Sequence, residues 1–240
     1  TSDGVRIEGS YWPGRRSNGP AVLLLHGINS SRASFDRHAT WLNGLGYAVL
    51  AIDFRGHGGS ADVQRTFGLY EARDAAAGLA FLRRNQPARR VGVIGTSLGG
   101  AAALLGDDGP LPVQAMVLQA VYPDLRRAIG NRITNTTNAS VAWLGEPFLS
   151  YQSWPRYHVS PSRISPIAGL RRYQGPVLII GGAADQSTTV ADTREFFQAA
   201  PGPKQLWLLN GTGHAATGSV FTQEYRQRVQ ALFASTLGPA

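Results

Sequence analysis

The chain carries a series of short, largely apolar runs, most of them ending at a glycine or a polar residue and each separated from the next by a longer segment. Residues 21–25 run into His26-Gly27, 47–52 stop at Asp53 and 91–94 stop at Gly95. Runs at 115–120, 176–180 and 205–209 complete the series. A strand with one wet face alternates apolar and polar residues, whereas a strand that is apolar throughout is covered on both faces. The segments between the runs read as helices. Residues 34–45 place Phe35, Ala39, Leu42 and Leu45 on one stripe and stop at Gly46. Residues 70–85, 98–105, 190–199 and 222–237 follow, the first of them rich in alanine and ending before Pro87. Strand and helix in alternation predict a mostly parallel, doubly wound α/β sheet with helices on both faces.

A length of 240 residues suits one domain spanning 1–240, and an apolar fraction of 43% is enough for a core of that size. The apolar runs are too short to cross a bilayer, so a soluble protein is expected, cytoplasmic or exported by a leader preceding Thr1. With no cysteine, disulfides and thiolate metal sites are excluded. The formal charge of +8 is carried by arginine, because Lys204 is the only lysine, a bias that points to a GC-rich bacterial genome. These arginines are scattered as pairs, such as Arg15-Arg16, Arg126-Arg127 and Arg171-Arg172, without zinc-finger spacing or an aromatic RNA-binding signature. No nucleic-acid partner is expected, and the basic surface implies at most weak association with anionic surfaces.

Chemistry concentrates at Gly95-Thr96-Ser97-Leu98-Gly99, between the buried run at 91–94 and the small-residue helix that follows. A sharp strand-to-helix turn holds such a serine in a strained conformation and presents its hydroxyl, and the flanking glycines let strand and helix approach. Serine needs a base, and His214 follows the last apolar run in Asn-Gly-Thr-Gly-His. The base needs an anionic partner, and Asp185 follows the run at 176–180. Asp124, after the preceding run, is the competing carboxylate. Two N–H groups are expected to stabilise an oxyanion: that of Leu98 and that of Ile28, with Gly27 as the fallback. His26, His57 and Arg55 read as hydrogen-bonding groups that fix loops. His38 and His158 have no partners at metal-ligand spacing, so no metal is expected.

The stretches Leu-Leu-His-Gly (24–27), Asp-Phe-Arg-Gly-His-Gly-Gly-Ser (53–60), Gly-Thr-Ser-Leu-Gly-Gly (95–100), Leu-Ile-Ile-Gly-Gly-Ala-Ala-Asp (178–185) and Gly-Thr-Gly-His (211–214) span nearly the whole chain in order. Together they resemble the α/β-hydrolase superfamily, in particular its small esterase, lipase and serine-aminopeptidase-like members. The resemblance implies the α/β-hydrolase fold, a Ser97-Asp185-His214 triad and hydrolysis of an acyl bond without a cofactor.

Residues 122–173 break the alternation. They lack a clear strand and are rich in Asn, Thr, Ser, Pro and aromatics, so they are expected to form a small cap over the carboxyl edge of the sheet. Trp143, Phe148, Tyr151, Trp154 and Tyr157 cluster there, as a satellite core or as the walls of an acyl pocket. Gly27, Asn29, Trp143, Phe148 and Trp154 are the expected substrate-binding residues. The expected activity is hydrolysis of a small-molecule carboxylic ester of short to medium acyl chain. Lipase, thioesterase or aminopeptidase-like activity on the same triad is the alternative, and a non-catalytic ligand-binding or membrane-surface protein of the same fold is the bland one.

Overall fold

The computed structural model describes residues 1–86, 90–137, 139–152, 154–155 and 159–238. Its strands are β1 (Gly9–Trp12), β2 (Ala21–Leu25), β3 (Ala48–Ile52), β4 (Val91–Thr96), β5 (Ala115–Gln119), β6 (Val177–Gly182) and β7 (Lys204–Leu209). They form one seven-stranded sheet in the order β1-β3-β2-β4-β5-β6-β7. Only β1 is antiparallel to its neighbour. In chain order the helices are α1 (Asp36–Gly44), α2 (Glu71–Asn85), α3 (Leu98–Leu104), α4 (Leu125–Thr136), α5 (Ala139–Ser150), α6 (Pro166–Leu170), α7 (Val190–Ala199), α8 (His214–Gly218) and α9 (Gln223–Leu237).

The continuous apolarity of the inner strands serves two cores at once. Ala21, Leu23 and Leu25 of β2, with Leu50, Val93, Met116 and Ile179 of its neighbours, pack against α2, α3, α6 and α7. Val22 and Leu24, with Val49, Ile94, Val117 and Ile180, face the other way and pack against α1 and α9. Successive side chains on a strand point to opposite faces, so every position of an inner strand must be apolar when both faces are covered. β2, β3, β5 and β6 are buried at every residue, whereas the edge strand β7 leaves Lys204 and Gln205 exposed.

Three elements differ from the sequence expectation. β1 is absent from it, because four residues on an edge are too few to establish a period. The short helix α8 is absent as well. Residues 122–173 do form an excursion between β5 and β6, but it is chiefly helical: α4 packs on α5, and a 3-10 turn at Pro161–Arg163 leads into α6. The helical period was masked at both helices. In α4 only Leu125 is buried, so the apolar stripe is thin, and α5 contains Pro147, which deprives its last turn of an N–H donor. Tyr157 and His158 lie outside the described residues.

Candidate active site

β4 runs down the middle of the sheet, and Ser97 sits where it turns into α3. The backbone of Ser97 is at φ 47° and ψ −108°, a region that side chains with a Cβ rarely enter. The turn is tied to β5 by the Ser97 N–H, which donates to the Gln119 carbonyl at 2.8 Å. Only glycine fits the flanks. A Cβ on Gly95 would come within 2.7 Å of the Gly100 backbone, and a Cβ on Gly99 would overlap the Leu25 carbonyl. Strand and helix therefore approach to backbone contact, and the serine hydroxyl is thrown out over the carboxyl edge of the sheet.

Loops from two further strands converge on it. After β7, Gly213 caps the short helix α8, and His214 is its first residue. α8 is held down by polar contacts to the strand ends below it. The Gln119 side-chain amide donates to the Thr217 carbonyl at 3.2 Å, and the Thr96 hydroxyl donates to the Gly218 carbonyl at 3.3 Å. This places His214 Nε2 3.2 Å from Ser97 Oγ and His214 Nδ1 2.8 Å from Asp185 Oδ2. The Asp185 side chain is fully buried, and its other oxygen accepts the N–H groups of Ser187 and Thr188, both at 2.8 Å. A carboxylate oriented this way accepts a proton-bearing Nδ1 and leaves Nε2 as the acceptor facing Ser97. Asp124 is engaged elsewhere: it caps the start of α4, accepting the Arg127 N–H at 2.9 Å, and the carboxylate that meets His214 is that of Asp185.

The loop after β2 is fixed by two histidines. His26 is wholly buried, and its Nε2 accepts the Phe54 N–H while Nδ1 donates to the Gly27 carbonyl. Burial lowers its pKa to about 4, so it stays neutral. His57 Nδ1 donates to the Arg55 carbonyl, and its Nε2 accepts the N–H of Asn29, which is in the left-handed region at φ 57°. Arg55 is anchored in turn by a buried two-pronged pair with Asp74 and a second with Asp3. The loop-fixing roles expected of His26, His57 and Arg55 are what their contacts describe. Gly27 lies beside the site, where an added Cβ would stand 3.8 Å from Ser97 Cβ. Leu98, as the first residue of α3, has no carbonyl one turn earlier in its helix to receive its N–H. Ile28 and Leu98 line the same cavity as Ser97 and His214, which has a volume of about 120 Å³.

The remaining walls of this cavity come from residues that the sequence did not single out. Phe67 and Tyr122 supply aromatic surface and are linked, the Tyr122 hydroxyl donating to the Phe67 carbonyl. Ala128 and Arg132 come from α4, and Ser187 and Thr188 from the loop that holds Asp185. The expected substrate-binding aromatics are not among them. Trp143 and Phe148 are each 79% exposed and Trp154 is 60% exposed, which also rules out a satellite core. For Trp143 and Phe148 the reason is geometric: α5 packs on α4 and turns these two rings outward. Trp143 borders a separate open depression of about 910 Å³ between α4 and α5, which contains neither Ser97 nor His214. Asn29 also lies off the cavity lining, its backbone N–H engaged by His57. Signals for Phe67 and Tyr122 were faint: each is a lone aromatic next to a turn. Among the described residues no cluster of three or more His, Asp or Glu is placed to hold a metal ion.

The alpha/beta hydrolase family model matches residues 22–230, a span that includes the Ser97 turn, Asp185 and His214. The chain belongs to the alpha/beta hydrolase family. An uncharacterised protein of Mycobacterium tuberculosis is 31% identical over 216 residues, covering 89% of this chain and 70% of that protein. A non-heme haloperoxidase of Rhodococcus erythropolis is 26% identical, covering 81% of this chain and 84% of its own. Among solved structures, the Pyrococcus furiosus esterase Pf2001 superposes with a TM-score of 0.76 at 28% identity, covering 99% of this chain and 90% of the esterase. In this alpha/beta hydrolase α4 reaches the cavity at the Ser97 turn through Ala128 and Arg132.

Proposed function

We propose that this alpha/beta hydrolase is a serine hydrolase acting on small carboxylic esters of short to medium acyl chain. The observation that carries the reading is the continuous hydrogen-bonded line from Ser97 Oγ through His214 to the buried Asp185 carboxylate. In this reading His214 Nε2 takes the proton of Ser97 as Oγ attacks the ester carbonyl. The developing oxyanion accepts hydrogen bonds from the N–H groups of Leu98 and Ile28. The positive end of α3 adds to their effect, with Leu98 in its first turn. His214 returns its proton to the leaving alcohol, and an acyl-enzyme on Ser97 remains. A water molecule deprotonated by the same nitrogen then attacks the acyl carbon, releases the acid and restores the serine. Asp185 holds the imidazole in the tautomer that this sequence requires.

The small cavity walled by Phe67, Tyr122 and Ala128 favours short acyl groups, and the likeness to the P. furiosus esterase favours an ester over other acyl bonds. Hydrolysis of p-nitrophenyl esters from acetate to palmitate, run beside Ser97→Ala, tests the reading. Turnover that peaks at a short chain and vanishes in the variant is expected. Hydrolysis of none of the series would sink the simple-esterase reading and move thioesters and peptide amides forward.

A further inference from the structure

Helix α4 carries Arg126, Arg127 and Arg132, and two of them are engaged. Arg126 clasps the Glu146 carboxylate through Nε and Nη2, at 3.0 and 2.9 Å. Arg127 reaches both Asp192, at 3.3 Å, and Glu195. Arg132 has no such partner: among the described residues its guanidinium makes neither an ion pair nor a hydrogen bond. Instead it lines the cavity of Ser97 and His214, one helical turn beyond Ala128 on the same face of α4.

The rest of that lining makes the arginine conspicuous. It includes no aspartate or glutamate, and the nearby Asp185 carboxylate is already committed to His214, Ser187 and Thr188. Beside the His214 imidazole the cavity offers apolar walls and hydroxyls, so among the described residues Arg132 is its one side chain with a permanent charge. An unpaired guanidinium presents a planar fork of donors that matches a carboxylate in two-pronged fashion. A neutral ester leaves that fork to water.

Resting on the hydrolase reading, we propose that Arg132 is a specificity-determining residue that selects esters carrying a carboxylate a few atoms from the scissile acyl carbon. The guanidinium touches the acid group of the substrate and not the reacting atoms. The contact is made equally before and during the chemical step, so it acts through KM and not kcat. It is also partly in water, so its contribution weakens with added salt.

The test compares three esters: p-nitrophenyl valerate, mono-p-nitrophenyl glutarate with the acid on the acyl half, and 4-carboxyphenyl valerate with the acid on the leaving half. Each is assayed with the intact enzyme, Arg132→Gln and Arg132→Lys, and unfolding curves check that the variants fold. Dividing each variant's kcat/KM by that of the intact enzyme cancels the intrinsic reactivity of the ester. Relative to valerate, at least one acid ester is expected to lose about tenfold in kcat/KM with Arg132→Gln, through KM, and to recover part of it with Arg132→Lys. The ester that responds identifies which half of the substrate faces α4. Equal losses on all three esters, or none, would overturn the role of Arg132 while Ser97-dependent turnover of valerate left the hydrolase reading standing. Absence of turnover on every ester by the intact enzyme would remove both.

Discussion

Gly99 lies against the carbonyl of Leu25 so closely that no side chain fits between them. This contact joins the end of β2 to the first turn of α3, and so sets the loop bearing Ile28 beside the turn bearing Ser97 and Leu98. A methyl group at position 99 has to push α3 off β2. Overpacking of this kind costs about 1–3 kcal/mol, and here the neighbour is backbone and cannot rotate away. Gly99→Ala is therefore expected to lower stability by at least about 2 kcal/mol in urea unfolding and to reduce ester turnover further than the lost folded fraction explains. Wild-type stability in this variant would mean that the approach of α3 to β2 is looser than the structure has it.

Asp185 and Asp124 make opposite predictions. The Asp185 carboxylate is buried and meets His214 Nδ1, so Asp185→Asn presents an amide that can hold the imidazole in the wrong tautomer. In the serine-protease precedent that change costs kcat about 10⁴-fold, and a loss of about 10³- to 10⁴-fold is expected here with KM little altered. Asp124→Asn exchanges one good helix cap for another, so both kcat and the unfolding midpoint should stay within experimental error of the parent. Steady-state kinetics on a single p-nitrophenyl ester decide it, and the reverse ranking would reassign the partner of the histidine.

His26 and His38 make stability depend on pH. Both are buried, and burial lowers each pKa from 6.5 to about 4. Between those values the unfolded chain binds protons that the folded one refuses, so stability is complete above pH 6.5 and falls as pH drops toward 4. Each group contributes at most about 3 kcal/mol. His38 differs from His26 in that neither ring nitrogen makes a hydrogen bond of ordinary geometry, although the Val220 carbonyl acts to raise its pKa. It lies among the rings of Phe35, Phe221 and Tyr225. His38→Leu should thus be neutral or stabilising by about 1 kcal/mol at pH 7 and should flatten the decline between pH 6.5 and 4.5. Thermal unfolding across that range measures it. An unchanged slope would show that His38 is protonated as readily in the folded state as in the unfolded one.

The inner strands and the helices covering them were legible in the sequence because burial on two faces demands unbroken apolarity, a pattern that survives without knowledge of any contact. The positions of Ser97, Asp185 and His214 were legible too, since each directly follows such a run and chain order alone brings them to one sheet edge. The sequence put Asp185 first and left Asp124, which also follows an apolar run, as a competitor. In the structure the loop after β6 turns the Asp185 side chain inward to His214 while Asp124 caps α4. The aromatic residues at 143, 148 and 154 were misread for a related reason. Composition says that a ring prefers contact, but tertiary packing, that of α5 on α4 for Trp143 and Phe148, decides which way it points. Of the pocket walls, Phe67 lies more than fifty residues from Tyr122 and Arg132 in the chain, and no periodicity within either segment encodes that meeting. Burial periodicity is a property of neighbours along the chain. A site wall is a property of neighbours in space, and it exists only once the sheet has closed its order.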